Sequence, residues 1–148
     1  LVPGRKLILG GVHIPYELGL AGHSDADVLT HAIIDGLCGA AGLPNIGMLF
    51  PDTDPRYYQA NSLSLLQRTM ELIQDKAYHI VNSDNIILCE APRLNPSIKA
   101  MQDNLCPLMG IEPEQLSIKP KTNEGVGPVG EKKAIAVYSV ILLRQGAE

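Results

Sequence analysis

The chain has 148 residues, 45% of them hydrophobic, with 12 basic against 16 acidic side chains and a formal net charge of −4. That length suits one domain, residues 1–148, built round a single core, and no apolar run is long enough to cross a bilayer, which excludes a membrane span. The mild acidity is mixed along the chain and leaves no basic footprint of the kind nucleic acid demands. Three cysteines, Cys38, Cys89 and Cys106, have neither metal nor redox spacing and point to a reducing compartment.

Residues 6–9 and 12–14 flank Gly10-Gly11 and predict a hairpin. A loop over 16–24 leads into the apolar-periodic stretch 27–41, a helix closed by Gly42 and Pro44. Residues 45–59 carry Pro51 and Pro55 and predict a long loop. Asn61 or Ser62 can cap a second helix running to Lys76, with Leu63, Leu66, Met70 and Ile73 on one face. Residues 78–81 and 85–89 predict two strands, and Asn95-Pro96 opens a third helix that stops at Gly110. The last two strands are 117–121 and 134–143. Pro120 lacks the N–H a ladder needs, so its strand is expected at a sheet edge or bulge.

This order predicts an α+β fold with helices on one face of a small mixed sheet. Residues 134–143 are apolar at nearly every position, so both faces of that strand need cover. Helices supply one cover. A second subunit is expected on the other, with Val137 and Ile141 in the interface.

On the first helix Asp27, His31 and Asp35 are spaced i, i+4, i+8 and share one face. An imidazole between carboxylates suits a metal ligand whose partners fix its tautomer. The same spacing equally suits a polar cluster at the helix edge, with the aspartates as caps. His23 and Ser24 stand just before the helix, where free N–H groups and the dipole favour a phosphate; Ser24 as a plain N-cap is the other reading. Phe50-Pro51-Asp52-Thr53-Asp54-Pro55 packs two carboxylates and a hydroxyl into a stiff turn that can grip sugar hydroxyls or simply face solvent. Lys119, Lys121 and Thr122 suit phosphate, and Glu124 suits a Mg²⁺ bridging phosphates. Together these describe a metal-assisted phosphoryl-transfer centre.

The segments Leu9-Gly10-Gly11-Val12, Ile14-Pro15-Tyr16-Glu17, Gly22-His23-Ser24-Asp25-Ala26-Asp27, His31-Ala32, Ile46-Gly47, Leu49-Phe50-Pro51-Asp52-Thr53-Asp54-Pro55 and Ala91-Pro92-Arg93, with Asp35, Lys119, Thr122 and Glu124, follow one another along almost the whole chain. In this set the sequence resembles the 2-C-methyl-D-erythritol 2,4-cyclodiphosphate synthase family. The resemblance implies a homotrimer of ferredoxin-like subunits with active sites at subunit interfaces. It implies a lyase of the non-mevalonate (MEP) isoprenoid pathway. Its substrate, 4-diphosphocytidyl-2-C-methyl-D-erythritol 2-phosphate, closes through its 2-phosphate on the β-phosphorus and expels CMP. A non-catalytic homologue that binds isoprenoid diphosphates is the alternative.

Carried over by position, His23 and Thr122 are implied as catalytic and His31 as a ligand of Zn²⁺ or another divalent metal. Glu124 is implied as a ligand of Mg²⁺ or Mn²⁺. His23 and Ser24 would contact the substrate phosphate. Asn45, Ile46, Gly47, Phe50, Pro51, Asp52, Thr53 and Asp54 would hold the methylerythritol part. Cys89, Glu90, Ala91, Pro92, Arg93, Leu94 and Asn95 of a neighbouring subunit would wall the cytosine through backbone groups, and Lys121, Thr122, Asn123 and Glu124 would meet the diphosphate. The family's other two zinc ligands form an Asp-x-His motif that would fall immediately upstream of Leu1. Asn45, Pro128 and Glu131 stand where the family usually has aspartate, an aromatic residue and arginine. The implied location is bacterial cytoplasm or plastid stroma.

Overall fold

Four short strands open the chain: β1 (Val2–Pro3), β2 (Leu7–Leu9), β3 (Val12–Ile14) and β4 (Leu18–Gly19), with β1 paired to β4 and β2 to β3, both antiparallel. The computed structural model describes residues 1–22, 24–51, 53–57 and 61–146. His23 and Asp52, named above, lie outside them. Gly10 and Gly11 make the β2–β3 turn at φ +57° and +73°, the left-handed geometry that a two-residue hairpin turn requires. A Cβ on Gly10 would lie 2.9 Å from the Met101 side chain, and one on Gly11 would lie 2.6 Å from Leu63. Both the backbone twist and the packing therefore call for glycine here.

The helix α1 (Val28–Ala41) buries Leu29, Ile33, Ile34 and Leu37 and ends at Gly42, at φ +73°. The predicted loop that follows contains one helical turn, α2 (Ile46–Leu49), capped by the Asn45 side chain, and a 3₁₀ turn at Pro55–Tyr57. Asn61 caps α3 (Ser62–Asp75) through its side chain, 2.8 Å from the Leu63 N–H. After β5 (Tyr78–Leu88), a 3₁₀ turn at Asn95–Ser97 runs straight into α4 (Ile98–Met109), which Gly110 closes. Then come β6 (Leu116–Lys121), the short α5 (Gly127–Gly130) and β7 (Ala136–Gln145).

β6, β5 and β7 form a mixed sheet in that order, β5 being parallel to β6 and antiparallel to β7. The expected strands 78–81 and 85–89 are one continuous strand with an irregularity between Ile80 and Asn82. Its polar middle alternates: Asn82 and Asp84 are exposed, Ser83 and Asn85 are buried, and the Asn85 amide donates to Ser83 Oγ at 2.9 Å and to the Ser117 carbonyl at 3.2 Å. Pro120 lies on β6, at the sheet edge, as its chemistry requires.

The helices cover one face of the sheet. α1 packs on β7 and β5, α3 packs on α1, and α4 packs on α3 and β6. Along β7 the side chains alternate. Val137, Ile141 and Leu143 pack against the core, whereas Tyr138, Val140 and Leu142 remain 64%, 72% and 56% exposed. This corrects the assignment of Val137 and Ile141 to an interface: Ile141 Cδ1 would lie 3.0 Å from a Cβ on Gly36 of α1, so it faces the helices. The open face carries the other set.

Candidate active site

α1 begins on a carboxylate with every lone pair in use. Asp27 is fully buried; its Oδ1 accepts from Gly10 N at 2.9 Å and Thr30 N at 3.0 Å, and its Oδ2 accepts from Gly11 N and Thr30 Oγ1, both at 2.8 Å. It is at once the helix cap and the anchor of the hairpin turn. Burial pushes its carboxyl above the ordinary carboxylate range, against the pull of those donors. Asp27 therefore does not orient the His31 ring, and Ser24 is not the cap. Asp35 is also engaged elsewhere: its Oδ1 accepts from Ile46 N at 2.7 Å and ties α2 to α1.

The partners of His31 come instead from Ser62 and Asp25. Asp25 accepts from Ser62 N at 2.9 Å and from the Ser62 hydroxyl through its other oxygen. A hydroxyl has one proton. With that proton given to Asp25, Ser62 Oγ can only accept from His31 Nε2, 2.7 Å away. Nε2 therefore carries the hydrogen, and in the neutral ring the lone pair is on Nδ1. No hydrogen bond reaches Nδ1 among the described residues. Ser24 Oγ lies 3.3 Å from Nε2 and accepts from Ala26 N. Arg5 donates to the carbonyls of Gly22 at 2.8 Å and Ser24 at 2.9 Å.

Ser24 and His31 open onto a cavity of about 540 Å³ with Ile46, Gly47 and Phe50, flanked by Leu20, Ala21, Gly22, Ala26, Val28, Leu65 and Ile135. The cavity thus gathers five of the residues expected at the site. Asn45 lies beside it as the cap of α2, with Oδ1 3.0 Å from Met48 N. Thr53 is exposed, and Arg56, paired at 2.7 Å, holds the Asp54 carboxyl below the ordinary range.

A second group forms where the parallel strands β5 and β6 end. Cys89 N donates to the Lys121 carbonyl at 2.8 Å, and the Glu90 carboxylate accepts from Asn123 N at 2.8 Å and Gly125 N at 3.1 Å. Ala91–Pro92 is cis. Leu94 is buried in the core, which leaves only its backbone for a ligand. Thr122 Oγ1 accepts from Glu124 N at 3.4 Å, and Lys121 and Glu124 are exposed. Lys119 points to the open sheet face and pairs with Asp84 at 3.1 Å. None of the residues 89–95 or 121–124 lines the cavity.

For metal, His31 offers Nδ1, but no group of three His, Cys, Asp or Glu side chains gathers among the described residues. Burial pushes the Cys38 and Cys89 thiols up to about 11, so both are protonated at neutral pH and poor ligands. The described residues fit one ligand of a zinc site, not a complete set. From the sequence alone, Arg5 and Asp25 had no role and Ser62 only that of a possible helix cap. The Asp25–Ser62 contact spans 37 positions, and nothing local announces it.

This is a small α+β protein with a cavity at a helix start and a loop cluster at the carboxyl ends of parallel strands, the usual seat of ligands in such sheets. The profile of the YgbB family matches residues 1–144. The 2-C-methyl-D-erythritol 2,4-cyclodiphosphate synthase of Nostoc sp. (strain PCC 7120) is 52% identical over 143 residues, 97% of this chain and 87% of that protein. A solved complex of Plasmodium falciparum IspF with CDP superposes with a TM-score of 0.85 at 36% identity, over 96% of this chain and 85% of that one. The bifunctional IspDF of Campylobacter jejuni gives a TM-score of 0.92 at 35% identity, this chain spanning 39% of that longer one and aligning over 97% of its own length. The chain belongs to the YgbB family, that of the 2-C-methyl-D-erythritol 2,4-cyclodiphosphate synthases.

Proposed function

We propose that this chain converts 4-diphosphocytidyl-2-C-methyl-D-erythritol 2-phosphate to 2-C-methyl-D-erythritol 2,4-cyclodiphosphate and CMP, as a lyase of the non-mevalonate isoprenoid pathway. The observation that carries the reading is the His31–Ser62–Asp25 chain at the cavity, in a sequence 52% identical to the Nostoc synthase. An oxygen of the 2-phosphate attacks the β-phosphorus; the bond from that phosphorus to the bridging oxygen breaks, and CMP leaves with the electron pair. Ile46 and Phe50 shelter the carbon skeleton, and the Ser24 hydroxyl and His23 meet the phosphate. Thr122 and His23 stabilise the charge that develops as the bond breaks.

The reading includes a homotrimer of ferredoxin-like subunits with shared sites. Two observations support it: the open apolar face of Tyr138, Val140 and Leu142, and the separation of residues 89–95 and 121–124 from the cavity of their own chain. A neighbouring subunit would bring that second group to the cavity, residues 89–95 walling the cytosine and 121–124 meeting the diphosphate. His31 would hold Zn²⁺ or another divalent ion through Nδ1, with further ligands from outside the described residues, and Glu124 would hold Mg²⁺ or Mn²⁺. Such ions, when bound, draw charge from the phosphate oxygens and hold them in line.

No described helix is long and apolar enough to cross a membrane, in keeping with bacterial cytoplasm or plastid stroma. Binding of isoprenoid diphosphates by a non-catalytic homologue draws no comparable support: Glu131 stands where the family usually has arginine, and its carboxylate is paired with Lys133 at 3.0 Å. Turnover tests the reading. The full-length protein should release CMP from this substrate with Mg²⁺ present, and His23→Ala and Thr122→Ala should each do so about 10²-fold more slowly. Near-normal release by either variant refutes the role given to that residue.

A further inference from the structure

We infer that Glu90 is a positioning residue: its carboxylate clamps the 122–125 turn to the loop after β5, so that nucleoside and diphosphate recognition share one rigid frame. The inference rests on the nucleotide reading above, in which residues 89–95 would meet the cytosine through backbone groups, and gives the Glu90 side chain a separate role. Glu90 Oε1 accepts from Asn123 N at 2.8 Å and Oε2 from Gly125 N at 3.1 Å. One carboxylate thereby takes the N–H groups on both sides of Glu124.

Glu124 is held at φ +53° and Gly125 at φ +75°. A non-glycine residue adopts that conformation at a cost and keeps it only where its surroundings impose it. Three contacts impose it here. The Glu90 bridge is one. The second is a closed turn in which Val126 N donates to the Asn123 carbonyl at 3.0 Å and Asn123 Nδ2 to the Val126 carbonyl at 2.7 Å. The third is Gly130, where a Cβ would fall 2.2 Å from the Gly125 carbonyl carbon, so that only glycine lets α5 lie against the turn. Of the three, only Glu90 reaches across to the other loop. Successive N–H groups in a turn of this kind form a hollow that suits an anion, and the Glu90 carboxylate fills it. Thr122 and Glu124 are thereby set relative to Cys89 and Ala91, whose backbone follows the same strand end.

The test is calorimetry of CDP and of cytidine on the full-length protein and on Glu90→Ala and Glu90→Gln, with amide hydrogen exchange at Asn123 and Gly125. Glu90→Ala removes both acceptors and Glu90→Gln keeps one. CDP affinity should fall about 10-fold or more in Glu90→Ala and by an intermediate factor in Glu90→Gln, as expected for lost hydrogen bonds to a charged acceptor. Cytidine affinity should stay within about twofold, because the base loop keeps its own anchors, and the two amides should exchange faster. Unchanged CDP affinity in Glu90→Ala, or equal losses for CDP and cytidine, overturns the inference. If the unmodified protein binds no CDP, the nucleotide reading fails by itself, and exchange alone decides the clamp: unaltered protection of Asn123 and Gly125 then overturns it. Glu90→Gln preserves size and shape, so it carries the same test should Glu90→Ala not fold.

Discussion

Replacing Val140 by aspartate should take the proposed trimer apart without unfolding the subunit. Val140 is 72% exposed on the open face of β7, between Tyr138 at 64% and Leu142 at 56%. Burying one such side chain fully is worth about 1.5–3 kcal/mol, so covering what these three leave exposed contributes roughly 4 kcal/mol per subunit. The substitution would forfeit the valine share and place a carboxylate directly across from Asp84, the cross-strand partner of Val140. Burial of an unpaired charge adds several kcal/mol more, enough to cancel the gain. Sedimentation velocity at micromolar concentration should show a trimer for the unmodified protein and a folded monomer for Val140→Asp. Val137→Asp makes the contrast, since it strikes the helix-covered face and should unfold the subunit instead. A Val140→Asp protein as trimeric as the parent, or a parent that is monomeric, would refute the reasoning.

Asp27→Asn leaves one acceptor for four donors, and two buried donors go unmet at a cost of about 3 kcal/mol. The melting temperature should drop by roughly 6–12 °C; a change within about 1 °C would show that the hairpin does not depend on this cap. Ser62→Ala removes the acceptor 2.7 Å from His31 Nε2. Nitrogen NMR should then show the ring in mixed tautomers, and zinc affinity of the full-length protein, read by chelator competition, should fall about 10- to 100-fold. An unaltered tautomer and affinity would mean that Ser62 does not set the ring.

Much of this fold was legible because local signals agreed. Gly10-Gly11 between apolar runs could hardly be anything but a hairpin turn, and Gly42 and Gly110 closed their helices where the periodicity ended. Pro120 pointed to a sheet edge or a bulge, and its strand lies at the edge. The phase of β7 was not legible: Val137, Ile141 and Leu143 are as apolar as Val140 and Leu142, so composition could not say which set meets the helices. β5 was split because Asn82 to Asn85 breaks the apolar pattern, although the Asn85 amide donates to the buried Ser83 hydroxyl inside the sheet. The site divided in the same way. Its motif residues could be listed from sequence, yet sequence left open whether Asp27 caps the helix or partners His31; it is the cap, held also by Gly10 and Gly11, and Asp35 is taken by Ile46. Asp27, His31 and Asp35, spaced i, i+4, i+8, serve three separate sets of partners.

Phosphorus NMR of a single reaction mixture tests the central claim most directly. Full-length protein with 4-diphosphocytidyl-2-C-methyl-D-erythritol 2-phosphate, Mg²⁺ and Zn²⁺ should convert the diphosphate signals into those of CMP and a cyclic diphosphate in equal amounts. Unchanged substrate, or CMP accompanied by a linear bisphosphate from attack by water, would contradict it.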